Sequence, residues 1–253
     1  MAKSKQSAPE AIEIKPIKMG QVQFWIVGES PLVLNRLPEK ARQELLLPKP
    51  RGVSRSTLKH DPIAEFRSSM CLRPRDHKGT RICVPSTALK NSIRTAALDL
   101  DGASKAQVGR LCYIPGEKVD VYGTPEVYMA VVRQSGIGRT PDVRTRAIIK
   151  EWACGFSVDY VKPMLSDTVL GNLVNAAGVF CGIGDGRPEK GALSFGRFSL
   201  VPETDAKLRR IVKMGAAEQD EAIADPAFYD QDSEDLYSWF HGAAGERELE
   251  VAK

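Results

Sequence analysis

The sequence predicts an α+β fold, an antiparallel sheet with helices packed against it, from three observations. Two β-prone runs, residues 81–84 and 152–161, each lead into a segment whose apolar residues recur at helical spacing. Between them lie short apolar runs separated by only a few residues, the spacing of hairpins rather than of crossover helices. The hydrophobic share of 42% over 253 residues is enough to bury one sizeable core. A repeated β-α-β order with hairpins between is the pattern of a ferredoxin or RRM type core.

Each element has its own justification. QVQFWIVG (21–28) is apolar, β-prone and followed by Ser30-Pro31, so it forms the first strand. PEKARQELLL (38–47) suits a short helix with Pro38 near its first turn. Residues 48–60 combine Pro, Gly and Ser with Lys49, Arg51, Arg55 and Lys59 and read as an exposed basic loop. The strand 81–84 ends at Pro85, where Ser86 or Thr87 caps a helix with Leu89, Ile93, Ala96 and Ala97 on one face. Lys90 and Arg94 share another face of it, where like charges repel mildly and a bound anion would offset the cost. Strands follow at 110–114, 118–122 and 127–133. QSGIGRTPDVRTRAIIK (134–150) is a glycine-containing basic loop carrying Arg139, Arg144, Arg146 and Lys150. After the strand at 152–161, Ser166 caps a helix with Leu170, Leu173, Val174 and Ala177 inward. The glycine-rich CGIGDGRPEKGALSFGRF (181–198) comes next, LSFGRFSLV (193–201) reads as a strand, and DAKLRRIVKM (205–214) as a helix.

The charge is divided unevenly. Residues 216–253 hold eleven acids against two bases, a charge of −9, and the remaining 34 basic and 21 acidic residues leave +13 on the body. A basic body with an acidic tail points to a polyanionic partner and to a tail that competes with it or recruits proteins. Residues 1–18 are then a disordered arm, 19–214 one nucleic-acid-binding domain with loop insertions at about 48–78 and 134–150, and 215–253 a disordered acidic tail. No apolar run approaches the roughly 20 residues that span a bilayer, and the polar start lacks the apolar core of a secretory signal, so a cytoplasmic protein is expected. The five cysteines are odd in number and scattered, as reduced core thiols are, and no CxxC or His/Cys cluster suggests a metal. No cofactor is expected.

Enzyme motifs fail residue by residue. Gly186 to Gly191 has the first spacing of a P-loop, but Ala192-Leu193 stands where Lys-Ser/Thr must reach the phosphates. Gly182, Gly184 and Gly186 follow a helix and precede a strand, the reverse of a dinucleotide-binding turn. His60, His77 and His241 lie in polar segments without a nucleophile motif, and only His60 beside Asp61 could do acid/base work. What remains is a set of basic clusters interleaved with Phe195, Phe198, Trp25 and Trp152, the composition of a single-strand groove, with the two tryptophans read as core.

Three segments carry a family resemblance. RICVPSTALKNSIRTAA (81–97) resembles the strand-to-helix signature of the RAMP superfamily, the RRM-like backbone proteins of CRISPR effector complexes, with Pro85, Ser86, Leu89, Lys90 and Arg94 in step and Asn91 in place of a glycine. GIGDGRPEKGALSFGRF (182–198) is similar to their glycine-rich loop and VGESPLVLNR (27–36) to their N-terminal edge. The chain resembles more closely still a group of uncharacterised phage and prophage proteins with a GxGxxRPEKG…FGRF ending, matched at Gly182, Gly184, Arg187 to Lys190 and Phe195 to Phe198. The superfamily resemblance implies an RRM-like fold, backbone-directed binding of single-stranded RNA or DNA, and head-to-tail homo-oligomerisation along the strand. It also implies RNA cleavage in some members through a loop aspartate, for which Asp142 is the candidate here. The expectation is therefore a non-enzymatic, largely sequence-independent single-strand binder. Lys90, Arg94, Arg187, Lys190 and Arg197 contact phosphates, and the backbone at Gly184 and Gly186 approaches them. Arg51, Arg55, Lys59, Arg139, Arg144 and Arg146 on mobile loops clamp the strand or the next subunit, and the acidic tail fills the empty groove or recruits replication and recombination partners, so deleting the residues after Met214 strengthens binding at low salt. A metal-independent endoribonuclease using Asp142 or His60, and an interaction protein binding an acidic partner, are the alternatives.

Overall fold

The computed structural model describes residues 16–37, 60–133, 141–191 and 193–251, with the isolated positions Arg42, Leu46 and Leu47. The expected arm over 1–15, the helix over 38–47 apart from those three positions, and the cations Lys49, Arg51, Arg55, Lys59 and Arg139 lie outside the described residues.

The chain builds a mixed α/β structure on a curled antiparallel sheet. Its strands are β1 (Lys18–Gly28), β2 (Leu32–Leu34), β3 (Cys71–Leu72), β4 (Ile82–Pro85), β5 (Cys112–Tyr113), β6 (Lys118–Tyr122), β7 (Glu126–Arg133), β8 (Pro141–Ile149), β9 (Ala153–Lys162) and β10 (Phe198–Val201). The helices are α1 (Pro62–Ser68), α2 (Ser86–Ala96), α3 (Lys105–Leu111), α4 (Asp167–Ala176), α5 (Ala206–Ile211), α6 (Ala216–Ala224) and α7 (Gln231–Val251). The large sheet runs β10-β1-β9-β6-β4-β3, with β5 also on β9, and a second sheet runs β2-β8-β7. Alternation on β1 and β9 sends Phe24, Ile26, Cys154, Phe156 and Val158 to one face, where Leu89 and Ile93 of α2 and Leu170, Leu173 and Val174 of α4 cover them. Each such side chain contributes on the order of 2 kcal/mol by leaving water.

Caps fix several helix starts. Ser166 accepts from the Val169 amide at 3.3 Å, Ser104 from Gln107 at 3.2 Å and Asp205 from Leu208 at 2.8 Å. The cap expected at Ser86 or Thr87 is absent: the strand runs straight through Pro85 into α2, and the side chain at Pro85 has no acceptor to offer. Residues 110–114 are not one strand, because Ser104 starts a helix that reaches Leu111 and leaves only Cys112–Tyr113 extended. Likewise only Phe198–Val201 of the segment 193–201 is strand, the preceding residues turning at Gly196.

Three larger expectations are corrected. The segment 141–149, expected within a mobile loop, is strand β8, paired along its length with β7 and at its end with β2, so Arg144 and Arg146 are carried on a sheet. Within the expected insertion 48–78, residues from 60 onward form α1, capped by Asp61, and β3. The acidic segment expected to be disordered is helical and packed on the body. Gln219 of α6 is fully buried; its Oε1 accepts from the Arg81 and Ile82 amides and its Nε2 donates to Val121 and Gly123 carbonyls, all at 2.8 to 2.9 Å. Asp220 pairs with Arg81 at 2.7 Å, and Ser233 of α7, also fully buried, accepts from the Met129 amide at 3.0 Å. Backbone bonds from Val127 to Ala227 and from Tyr229 to Val127 join this segment to β7. Acidic composition fails to predict disorder here because a few polar anchors find buried backbone partners. Among the described residues, no helix is long and apolar enough to cross a membrane.

Candidate nucleic-acid interface

The glycine-rich segment is the seam between the two sheets. Helix α4 closes with a π-helical turn at Ala177–Cys181, and the chain leaves it through Gly182, whose amide donates to the Ala177 carbonyl at 2.8 Å. The segment then reaches across to β2, with the Asp185 amide on the Val33 carbonyl at 2.9 Å and the Gly196 amide on the Pro31 carbonyl at 2.8 Å. It closes on itself through Ile183 to Gly196 at 2.9 Å and Phe195 to Gly186 at 3.1 Å. Ser30 locks its base, donating to the Ser194 carbonyl and accepting from the Arg197 amide. From β8, Arg146 pairs with Asp185, and from β7 the Tyr128 ring meets Phe195 edge-on at 6.1 Å.

Within this scaffold the backbone presents free donors. Gly184 and Gly186 have φ of 81° and 63°, and the amides of Gly184, Gly186 and Arg187 make no hydrogen bond among the described residues. Amides flanking left-handed residues converge into concave nests that suit an anion. Both carboxylates in the loop are paired, Asp185 with Arg146 and Glu189 with Arg187, which offsets the charge that would repel one. Arg187 is a brace, donating to Glu189 at 3.0 Å and to the Gly184 carbonyl at 2.9 Å. Lys190 is well exposed, 3.9 Å from Glu189, and the guanidinium of Arg197 has no hydrogen-bond or ion-pair partner among the described residues. The loop thus offers two available cations, while its third and Arg146 hold its shape.

The other expected site residues are dispersed. Lys90 lies over the Tyr113 ring at 4.7 Å, and Arg94 packs toward Gly109 of α3 with a buried Nε that has no hydrogen-bond partner among the described residues. No hydrogen bond or ion pair joins either to the glycine-rich loop among the described residues. Arg144, half exposed, pairs with Asp142 at 3.0 Å. Asp142 is nearly buried and meets the Nε2 of His60 at 3.3 Å, while Glu65 meets Nδ1 at 2.7 Å. Asp142 and His60, the two residues named for the endoribonuclease alternative, therefore do come together. With both ring nitrogens against carboxylates, the imidazole acts as a strut between α1 and β8.

Thiol chemistry has little to work with at the seam. Burial first, then the nearby Glu189 and Asp99 carboxylates, push the Cys181 thiol up to about 11, so it stays protonated at neutral pH. Burial likewise raises Cys112 and Cys154. Trp152 and Phe198 are core, their rings edge-on at 6.2 Å. Trp25, read as core, is only half-buried. Its ring lies over Gly155, where a Cβ would come within 2.7 Å, and it borders a shallow groove of about 420 Å³ with Gln23, Arg73, Lys118 and Tyr122. The legible signal was Gly155 itself, a glycine at an outward position of a strand.

Comparison with known proteins gives little further. No family model matches the chain, and no curated protein is similar to it. It is similar to a chain in the cryo-EM structure of the Type III-B Cmr-beta bound to cognate target RNA, with a TM-score of 0.37 and 13% identity over 73% of this chain. This chain spans 60% of the length of that one.

Proposed function

We propose that the protein binds single-stranded nucleic acid through its glycine-rich seam, with little sequence preference, and assembles in copies along the strand. One observation carries the reading: the amides of Gly184, Gly186 and Arg187, unbonded among the described residues, stand in one loop with the exposed Lys190, only loosely paired with Glu189, and with Arg197, whose guanidinium has no partner among those residues. Backbone amides and two point charges recognise a phosphate chain and read no base edge. The strand order supports a ferredoxin-like core of RAMP type: across the sheet β10, β1, β9 and β6 are neighbours, and by chain order these four strands rank fourth, first, third and second, with α2 and α4 as the two connecting helices. The motifs at 81–97 and 182–198 support the same assignment. Assembly along the strand rests on that resemblance.

The test is fluorescence anisotropy with single-stranded RNA, single-stranded DNA and duplex over a salt series, with negative-stain imaging of the same samples. The Lys190→Ala/Arg197→Ala variant is expected to bind about tenfold more weakly at low salt and to lose about 1.4 from the slope of log affinity on log salt, as two fewer phosphates are neutralised. A wild-type slope near zero removes the reading. An unchanged slope in the variant moves the site elsewhere.

A further inference from the structure

A pair of thiols at the edge of the large sheet lies apart from this site. Cys71 of β3 and Cys83 of β4 are direct partners in the antiparallel register, and their Sγ atoms are 3.4 Å apart, the Cys83 thiol donating toward Cys71. Both are free, Cys71 half-buried and Cys83 buried. Directly opposed antiparallel residues have Cα atoms roughly 4.5–5.5 Å apart, within the roughly 4.4–6.8 Å of disulfides. Closing a bond therefore asks the sulfurs to move inward and leaves the backbone where it is. Cys112, Cys154 and Cys181 are buried and have no sulfur partner among the described residues.

We propose that Cys71 and Cys83 form a reversible redox pair, in which Cys71 is oxidised first by a peroxide and Cys83 resolves it to a disulfide. The order follows from exposure, since β3 is the outermost strand and Cys71 is the thiol that solvent reaches. Burial first, then the hydrogen bond to Cys71, push the Cys83 thiol up to about 12, so the inner partner keeps its proton until Cys71 has reacted. In the first step the Cys71 sulfur attacks one peroxide oxygen, the O–O bond breaks, and a sulfenic acid and one water form. In the second, the Cys83 sulfur attacks the Cys71 sulfur, the S–O bond breaks, and the departing hydroxide takes the Cys83 proton as a second water. Two thiols lose two electrons and hydrogen peroxide gains them. The product staples the segment bearing Arg73 and His77, both of which bond the Asp120 carboxylate.

Treating the reduced full-length protein with a few equivalents of hydrogen peroxide tests this directly. Non-reducing peptide maps are expected to show the tryptic peptides 68–75 and 82–90 joined, the intact mass lower by two hydrogens, and both changes reversed by dithiothreitol. Cys71→Ser is expected to resist at the same dose. Cys83→Ser is expected to stop at a Cys71 sulfenic acid that dimedone traps. Thiol loss in Cys71→Ser equal to wild type overturns the proposal. So does a Cys71 sulfinic acid in wild type with Cys83 still a thiol, a result that needs no variant to fold.

Discussion

Gln219→Leu is expected to cost on the order of 5 kcal/mol, enough to leave much of the chain unfolded if its total stability lies in the usual range of about 5–15 kcal/mol. The substitution keeps the volume near that of glutamine and removes every hydrogen bond. The amides of Arg81 and Ile82 lose their acceptor, and the carbonyls of Val121 and Gly123 lose their donor, in a pocket with no solvent exposure. Each buried group left without a partner costs about 1–3 kcal/mol, and four are orphaned together. Removing the acidic segment breaks the same bonds. Ending the chain after Met214 deletes Gln219, Ser233 and the Asp220 partner of Arg81, and strips Tyr229 from the end of β7. That chain is expected to lose cooperative urea unfolding and its near-ultraviolet circular dichroism. A truncated chain with wild-type midpoint and tighter nucleic-acid binding would return the segment to the status of a competing tail.

Gln219 shows which elements a sequence pattern cannot reveal. Strand β9 and helix α4 are legible because their own residues state the pattern: alternation through ACGFSVDYVK, and Ser166 ahead of Leu170, Leu173 and Val174. Strand β8 is not, since Asp142, Arg144 and Arg146 look like loop chemistry until each is seen with its partner: His60 for Asp142, Asp142 for Arg144, Asp185 for Arg146. Helix α6 has little amphipathy to find, and its main anchor is a polar residue whose partners come from two strands about 100 to 140 residues away. The glycine density of 182–196 was visible, but a missing Cβ serves a packed seam and a phosphate contact alike. Of the expected site, Gly184, Gly186, Lys190 and Arg197 belong to the glycine-rich segment that ends at β10. Arg187 and Arg146 prove to be braces, and Lys90 and Arg94 belong to the α2–α3 face.

Gly196→Ala separates those two uses of glycine. Gly196 has φ of 67°, and a Cβ there would overlap the Ile183 carbonyl oxygen. Its own amide and carbonyl are both committed, to Pro31 and from Ile183, so the neighbours are backbone on every side and cannot rotate away as a side chain would. The left-handed conformation alone costs an alanine about 1–2 kcal/mol, and relief of the overlap must break at least one of the bonds joining the seam to β2. A total near 4 kcal/mol is expected, which for a chain of this size lowers Tm by about 10 °C. Gly191→Ala is the matched control in the same loop: the residue is extended, with open space around it, and neither stability nor affinity should change measurably. If the seam's shape positions the free amides of Gly184, Gly186 and Arg187, Gly196→Ala also abolishes single-strand binding at temperatures where the rest of the protein remains folded, with every cation still in place. Binding that survives in such a folded variant would mean that charge alone holds the strand and that the amides contribute nothing to it.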